Sequence, residues 1–298
     1  MFNKSASGAL CRLCPRQCGA DRTRSTGFCG MTDTPVVARA ALHMWEEPCI
    51  SGENGSGAVF FSGCALRCVY CQNAQISSGR YGKPISLARL REIFFELAEQ
   101  GAHNINLVNP THFARPILQA MEGGMPLPVV YNTGGYDSAD TLRLFEGKVD
   151  IYLPDMKYAL PELGKKYSAA PDYPEKAVVA IMEMYRQVGD FVIGDDGLLK
   201  KGVVIRHLIL PGNLENTFAV IDWAAKTFAP GQVLFSLMSQ YTPCGDLQRF
   251  PELRRRITQG EYDAAMEHLE RSGIEDGFFQ ELSSAAEEYI PPFDLTGV

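Results

Sequence analysis

No stretch of the 298-residue sequence is apolar for long enough to span a bilayer, and its N-terminus has no apolar signal core. Both absences make the cytoplasm the expected location. Positive charge is scarce too: 28 Lys and Arg stand against 35 Asp and Glu, a formal net charge of −7. A nucleic-acid partner demands a basic face, so the balance argues against one. Cysteine almost disappears beyond residue 71, where only Cys244 remains. The other eight crowd into the positions before it. In a reducing compartment such crowding points to metal ligands or reactive thiols before disulfides. The hydrophobic share, 46%, is ordinary for a globular core. The length suits one large α/β domain or a barrel with an appendage.

The densest chemistry is Cys64-Ala-Leu-Arg-Cys68-Val-Tyr-Cys71, a C-x3-C-x2-C spacing directly after the apolar run Ala58–Phe61. Ser62-Gly63 turns that run into the loop. Three thiolates on so short a loop can share one face of an iron–sulfur cube, leaving its fourth iron open. An open coordination position belongs to catalytic metal sites, because structural ones close it. A zinc knuckle, or three unrelated buried thiols, is the alternative that spacing alone leaves standing. Upstream, Cys11, Cys14, Cys18 and Cys29 suit a four-thiolate site, for which zinc and iron–sulfur are both admissible. The segment around them is rich in Arg, Gly and Thr and needs a staple to fold. Cys49 lies outside both groups and reads as a small buried residue.

Downstream the chain alternates. Ser86 caps a helix over 87–100 in which Leu90, Ile93, Phe94 and Leu97 recur at helical spacing, and Gly101 ends it. Short apolar strands are expected at 105–108, 129–131, 149–153, 203–210 and 233–238. Helices are expected up to Met121, over 138–145, from Pro174 to Val188, over 214–228 and over 261–271. The tail from Gly277 to Pro292 is expected to add a strand and cover the mouth. Six strand–helix units imply a parallel sheet with right-handed crossovers. The fold class is therefore α/β: a partial (β/α)6 parallel barrel, over residues 51–298 with a C-terminal extension, after a small Cys-rich metal-binding segment at 1–50. In such folds ligands sit at the carboxyl ends of the strands. The polar clusters fall there, at 64–71, 109–112, 132–135, 155–157, 211–213 and 239–244.

The C-x3-C-x2-C loop with Tyr70 before its last cysteine resembles the signature of the radical S-adenosylmethionine (radical SAM) superfamily. Asp155-Met156-Lys157, Asn132-Thr133-Gly134 and Cys71-Gln72-Asn73 resemble elements of its pyruvate formate-lyase activating enzyme-like branch, and the likeness runs over roughly residues 57–245. The resemblance implies a 4Fe–4S cluster on Cys64, Cys68 and Cys71. SAM would be chelated at the open iron and reductively cleaved to a 5′-deoxyadenosyl radical that abstracts hydrogen. It implies SAM contacts from Tyr70, Asn73, Asn132, Thr133, Asp155 and Arg206, with Asp155 helping to build a monovalent-cation site. Lys157 would face the reaction centre. It further implies an electron donor such as flavodoxin or ferredoxin and, in the activase branch, a glycyl radical enzyme or peptide as substrate. Chemistry on a small molecule or a peptide side chain is the rival, and an inert iron–sulfur or zinc module the remaining alternative. The Gly-Gly-Glu-type loop with which radical SAM proteins often hold the SAM amine reads Asn109-Pro110-Thr111-His112 here and lacks the acid. Asn109 and Thr111 are the expected substitutes, and His112 the candidate substrate-side acid or base. The ferredoxin-like insertion of some activases is missing. Arg206 and His207 alternate on one strand, so only one of them faces inward. Cys244 is either a hydrogen-atom donor at the mouth or an unliganded core thiol.

Overall fold

In the computed structural model, which describes residues 10–280 and 291–298, ten strands lie in one sheet. They are β1 (Val36–His43), β2 (Ser56–Phe61), β3 (Lys83–Pro84), β4 (Ile105–Val108), β5 (Val129–Thr133), β6 (Ile151–Pro154), β7 (Val192–Ile193), β8 (Leu199–Leu208), β9 (Leu234–Met238) and β10 (Gly277–Phe279). The helices are α1 (Pro48–Ser51), α2 (Ala74–Ser77), α3 (Leu87–Glu99), α4 (Ala114–Ala120), α5 (Ala139–Arg143), α6 (Pro161–Ser168), α7 (Tyr173–Val188), α8 (Leu214–Thr227) and α9 (Gln259–Ser272).

The sheet order is β10-β9-β8-β6-β5-β4-β2-β1-β3, with β7 paired to β8 alone. From β2 to β10 the seven consecutive neighbours run parallel, and β1 lies antiparallel on the outer side of β2. This is the expected partial barrel, widened by one strand: β10 pairs parallel with β9. The stretch 281–290, expected to continue that tail over the mouth, lies outside the described residues.

Local sequence explains the elements. The Ser86 side chain accepts from Arg89 N at 3.1 Å and starts α3. Leu90, Ile93, Phe94 and Leu97 are all buried, and four such side chains contribute roughly 6–12 kcal/mol before entropy. On the sheet's other face, Val130, Ile151, Leu153, Val204 and Leu234 pack against Cys49 and Ile50 of α1. Residues 36–50, grouped on sequence with the Cys-rich segment, pack with the barrel: β1 extends its sheet and α1 covers this face. Cys49 is buried there as expected.

Candidate functional site

At the carboxyl ends of the strands lies a cavity of about 300 Å³. Its wall brings together Cys64, Cys68, Tyr70, Cys71 and Asn73 from the loop after β2 and Asn109 after β4. Asn132 and Thr133 from β5, Asp155 and Lys157 after β6, and Arg206 of β8 complete it. Phe60, Leu66, Val108, Leu208 and Met238 supply apolar wall.

The cysteine loop is fixed by backbone. Gly63 has φ +85°, and a Cβ on it would stand 2.4 Å from Met31 Cγ and 2.8 Å from Cys29 O, so only glycine fits. Asn109, itself at φ +58°, donates from Nδ2 to Gly63 O at 2.6 Å and from its backbone N to Asn132 O at 2.7 Å. Each sulfur accepts at least one hydrogen bond: Cys64 from Leu66 N (3.3 Å) and from the Arg67 backbone, Cys68 from Ser168 Oγ (3.0 Å) and Cys71 from Ser77 Oγ (3.3 Å). Burial pushes the Cys71 thiol up to about 12 and raises that of Cys64, so a metal centre must displace their protons. Among the described residues no three Cys, His, Asp or Glu side chains are drawn tightly around a single-ion position. A cube takes one thiolate per iron, which spreads its ligands. Three soft donors on one cavity wall, each already served by an N–H or O–H, fit that group.

Opposite the sulfurs is a charge network. Arg206 donates to Asp155 Oδ1 (2.9 Å), Asn132 Oδ1 (2.7 Å) and Glu46 Oε2 (3.1 Å), and Glu47 lies 4.0 Å away. Lys157 Nζ donates to Asp155 Oδ2 at 2.5 Å. Glu46 Oε1 accepts from both Asn106 and Asn132 at 3.0 Å. Burial pushes Asp155 up, but Arg206 and Lys157 outweigh it and hold the carboxyl below its usual range. Burial likewise opposes the charge on Lys157, and Asp155 overcomes it, lifting the ammonium to about 12. For Glu46 and Glu47 burial wins over Arg206, and both are raised. Arg206 faces the cavity while His207 turns to the opposite side of β8, bonded to Met156 O (2.7 Å) and Thr217 Oγ1 (3.0 Å). The strand alternation required this split.

Glu46 is an acid in the cavity wall that sequence reasoning did not name. It arrives from the segment after β1, far in sequence from the loop where an acid was sought. Nothing local separates Glu46-Glu47 from an ordinary solvated pair; the following Pro48, which opens α1, is the only hint that the chain turns inward. Asp137 was also missed. It is buried and accepts from Thr111, from Thr133 Oγ1 (2.6 Å) and from Tyr131 OH (3.1 Å).

Two expected residues are not at the cavity. Thr111 spends its hydroxyl on Asp137, so it is no substitute for the missing acid. His112 sits behind the wall with Nε2 2.7 Å from Ser62 O, and its carbonyl accepts from Arg22. Burial lowers its pKa from 6.5 to about 3. The cause is the tight turn at 111–113, which buries all three side chains. An imidazole bonded to the Ser62 carbonyl braces the cysteine loop from outside this cavity, where a substrate-side acid or base was expected. Cys244 donates to Tyr70 O at 3.0 Å and also lies outside the cavity lining, although Gln240 and Thr242 just before it line the wall.

The Cys-rich segment packs against the cysteine loop. Cys64 N donates to Cys29 O (3.3 Å), Arg16 to Ala65 O (2.9 Å) and Ser168 O (2.8 Å), and Arg67 to Phe28 O. The buried Arg22 ties Met31 O and Thr32 O to His112 O. Cys18 and Cys29 flank Gly27, whose Cβ position would lie 3.3 and 3.5 Å from their sulfurs. Burial raises Cys18, but N–H bonds from Ala20 and Phe28 and the Cys11 thiol outweigh it, and its pKa is lowered.

The sequence matches the family model of the radical SAM superfamily over residues 58–223. It is 28% identical over 277 residues to an uncharacterised protein of Methanocaldococcus jannaschii, MJ0674, covering 89% of this chain and 75% of that one. Similar solved structures include SuiB of Streptococcus suis bound to S-adenosylmethionine, with a TM-score of 0.44, 12% identity, and coverage of 76% of this chain and 47% of that one. Another is the FeFe-hydrogenase maturase HydG of Carboxydothermus hydrogenoformans, with a TM-score of 0.42, 14% identity, and coverage of 77% and 58%. This chain thus spans about half the length of those two. No helix among the described residues is long and apolar enough to cross a membrane.

Proposed function

Because the chain belongs to the radical SAM superfamily, we propose that its cavity binds a 4Fe–4S cluster and SAM and carries out hydrogen abstraction. The observation that carries this reading is the convergence of Cys64, Cys68 and Cys71 on the same cavity as Glu46, Asp155, Lys157 and Arg206. When bound, a reduced cluster supplies the electron that cleaves SAM to methionine and a 5′-deoxyadenosyl radical. The three cysteines would hold the cluster. Glu46 and Asp155 are the acceptors for an ammonium group, and Lys157 and Arg206 the donors for a carboxylate. Glu46 thereby takes the part of the acid missing from the 109–112 loop. Asn132 fixes the orientation of both Glu46 and Arg206. Phe60, Val108 and Met238 keep water from the apolar side of the cavity.

One substrate reading, from the likeness of Asp155-Met156-Lys157 to the activase element, is a glycine backbone in a partner enzyme, with a flavodoxin- or ferredoxin-like protein as electron donor; a small molecule or a peptide side chain is the other. The nearness of the Cys18 and Cys29 sulfurs to Gly27 supports a second thiolate-bound centre on Cys11, Cys14, Cys18 and Cys29, and the lack of a single-ion cluster among the described residues favours iron–sulfur over zinc there. Anaerobic reconstitution with iron, sulfide, SAM and dithionite tests the enzyme: 5′-deoxyadenosine should form, and Cys71→Ala should abolish it. No 5′-deoxyadenosine from fully loaded protein would refute the proposal. A glycyl doublet in the electron paramagnetic resonance (EPR) spectrum of a candidate partner identifies an activase; turnover without one identifies chemistry on a small molecule or a peptide side chain.

A further inference from the structure

Cys68 is set apart from the other two sulfurs by what stands behind its hydrogen bond. Ser168 Oγ, 3.0 Å from the sulfur, lies 2.9 Å from Tyr158 OH, which lies 2.7 Å from Tyr70 OH. All three hydroxyl-bearing residues are buried, and Tyr70 also lines the cavity. A metal-bound thiolate has no proton and only accepts. Ser168 has one proton, so once it donates to Cys68 it can only accept from Tyr158. Tyr158 must then accept from Tyr70. The sulfur therefore fixes the direction of the whole row, and each bond polarises the next. The donors to Cys64 are backbone N–H groups and the donor to Cys71 is Ser77 Oγ at 3.3 Å, and no row of hydroxyls is seen behind either sulfur among the described residues.

We propose that Tyr70, Tyr158 and Ser168 form a directed hydroxyl relay that makes the cluster easier to reduce. The inference rests on the reading that the three cysteines hold a 4Fe–4S cluster. Reduction adds one electron to the cluster and so adds negative charge to its sulfurs. A donor already aimed at one of them stabilises the reduced state more than the oxidised one, and hydrogen bonds to sulfur are one of the protein's levers on cluster potential. Tyr70 couples the far end of the relay to whatever occupies the cavity. Ser168 is brought to the loop by the last turn of α6, and Arg16 secures it by donating to Ser168 O at 2.8 Å. These are positioning residues: they act on the cluster through Cys68.

The test is an EPR-monitored redox titration of the anaerobically reconstituted protein and its variants, each with iron content measured. Ser168→Ala should lower the reduced-to-oxidised ratio at a fixed potential about tenfold, about 59 mV more negative for one electron. Tyr158→Phe keeps the ring and should shift the midpoint the same way by less. Ser168→Thr keeps the hydroxyl and should restore the wild-type value. A fully loaded Ser168→Ala protein with an unshifted midpoint would overturn the relay. Should that variant fail to hold iron, Tyr158→Phe decides: a negative shift supports the relay, and no shift overturns it. A wild-type protein that holds no cluster sinks the parent reading, and with it the relay; a loaded wild type that cleaves SAM, paired with unshifted variants, sinks only the relay.

Discussion

Replacing Arg206 by Met tests whether the charge network holds the mouth of the barrel together. The substitution keeps a long apolar stem and removes the guanidinium. Wild type sets two cations, Arg206 and Lys157, against three carboxylates, Glu46, Glu47 and Asp155. The variant leaves Lys157 alone with all three. Asp155 Oδ1, Glu46 Oε2 and Asn132 Oδ1 each lose a donor. Breaking a buried ion pair from one side costs about 3–5 kcal/mol. The loss should depend on pH. Glu46 and Glu47 already sit above their ordinary 4.5 because burial outweighs Arg206, and losing Arg206 raises them further. A carboxyl whose folded pKa is raised destabilises the fold at high pH, and the penalty shrinks as pH falls toward 4.5. Each such group recovers up to about 1.4 kcal/mol per pH unit. Urea unfolding of cluster-loaded Arg206→Met should therefore show a loss of about 3–5 kcal/mol at pH 8 and a visibly smaller one at pH 5.5. Adding Glu46→Gln to it should return part of the stability, because neutralising Glu46 removes a charge Arg206 had balanced. A loss below about 1 kcal/mol at pH 8, the range of an exposed pair, would show that the network is solvated and the reasoning wrong. So would a loss that does not change with pH.

Three further outcomes are expected. Gly63→Ala should lose iron and stability together, because its Cβ meets Met31 and the Cys29 carbonyl; a variant with full iron content would contradict the loop geometry. His112 and His207, lowered by burial to about 3 and about 4, stay neutral when the unfolded chain takes up protons near 6.5, so stability falls as pH drops below that value. His112→Gln should flatten that pH slope by up to about 1.4 kcal/mol per unit, and an unchanged slope in urea titrations would show that His112 protonates freely. Cys244→Ala should leave the rate of 5′-deoxyadenosine formation unaltered, since the thiol is bonded to Tyr70 O outside the cavity lining; a large loss would restore a role for it.

Much of the barrel was legible because its strands are short apolar runs stopped by Pro, Gly or Asn, and its longer helices carry one apolar stripe. The elements that were not legible lack those marks. Helix α6 is only eight residues, with Gly164 and two lysines inside it. Strand β8 begins at Leu199, four residues before its apolar run, because the polar Lys200-Lys201 stretch pairs with β7. Asn132, Asp155 and Lys157 were placed near the cavity by their position at strand ends and Arg206 by the resemblance, and all four line its wall. Glu46 lies 160 positions from Arg206, and no periodicity links them. Thr111 and His112 were misplaced for a related reason: sequence gives the loop but not which way its turn folds, and here it folds into the core.

The most direct measurement is the EPR spectrum of the reduced, anaerobically purified protein before and after SAM is added. Iron held by Cys64, Cys68 and Cys71 with one open position should give a 4Fe–4S signal that changes on adding SAM. A zinc ion bound to those three sulfurs, or an iron–sulfur signal identical with and without SAM, would contradict the account.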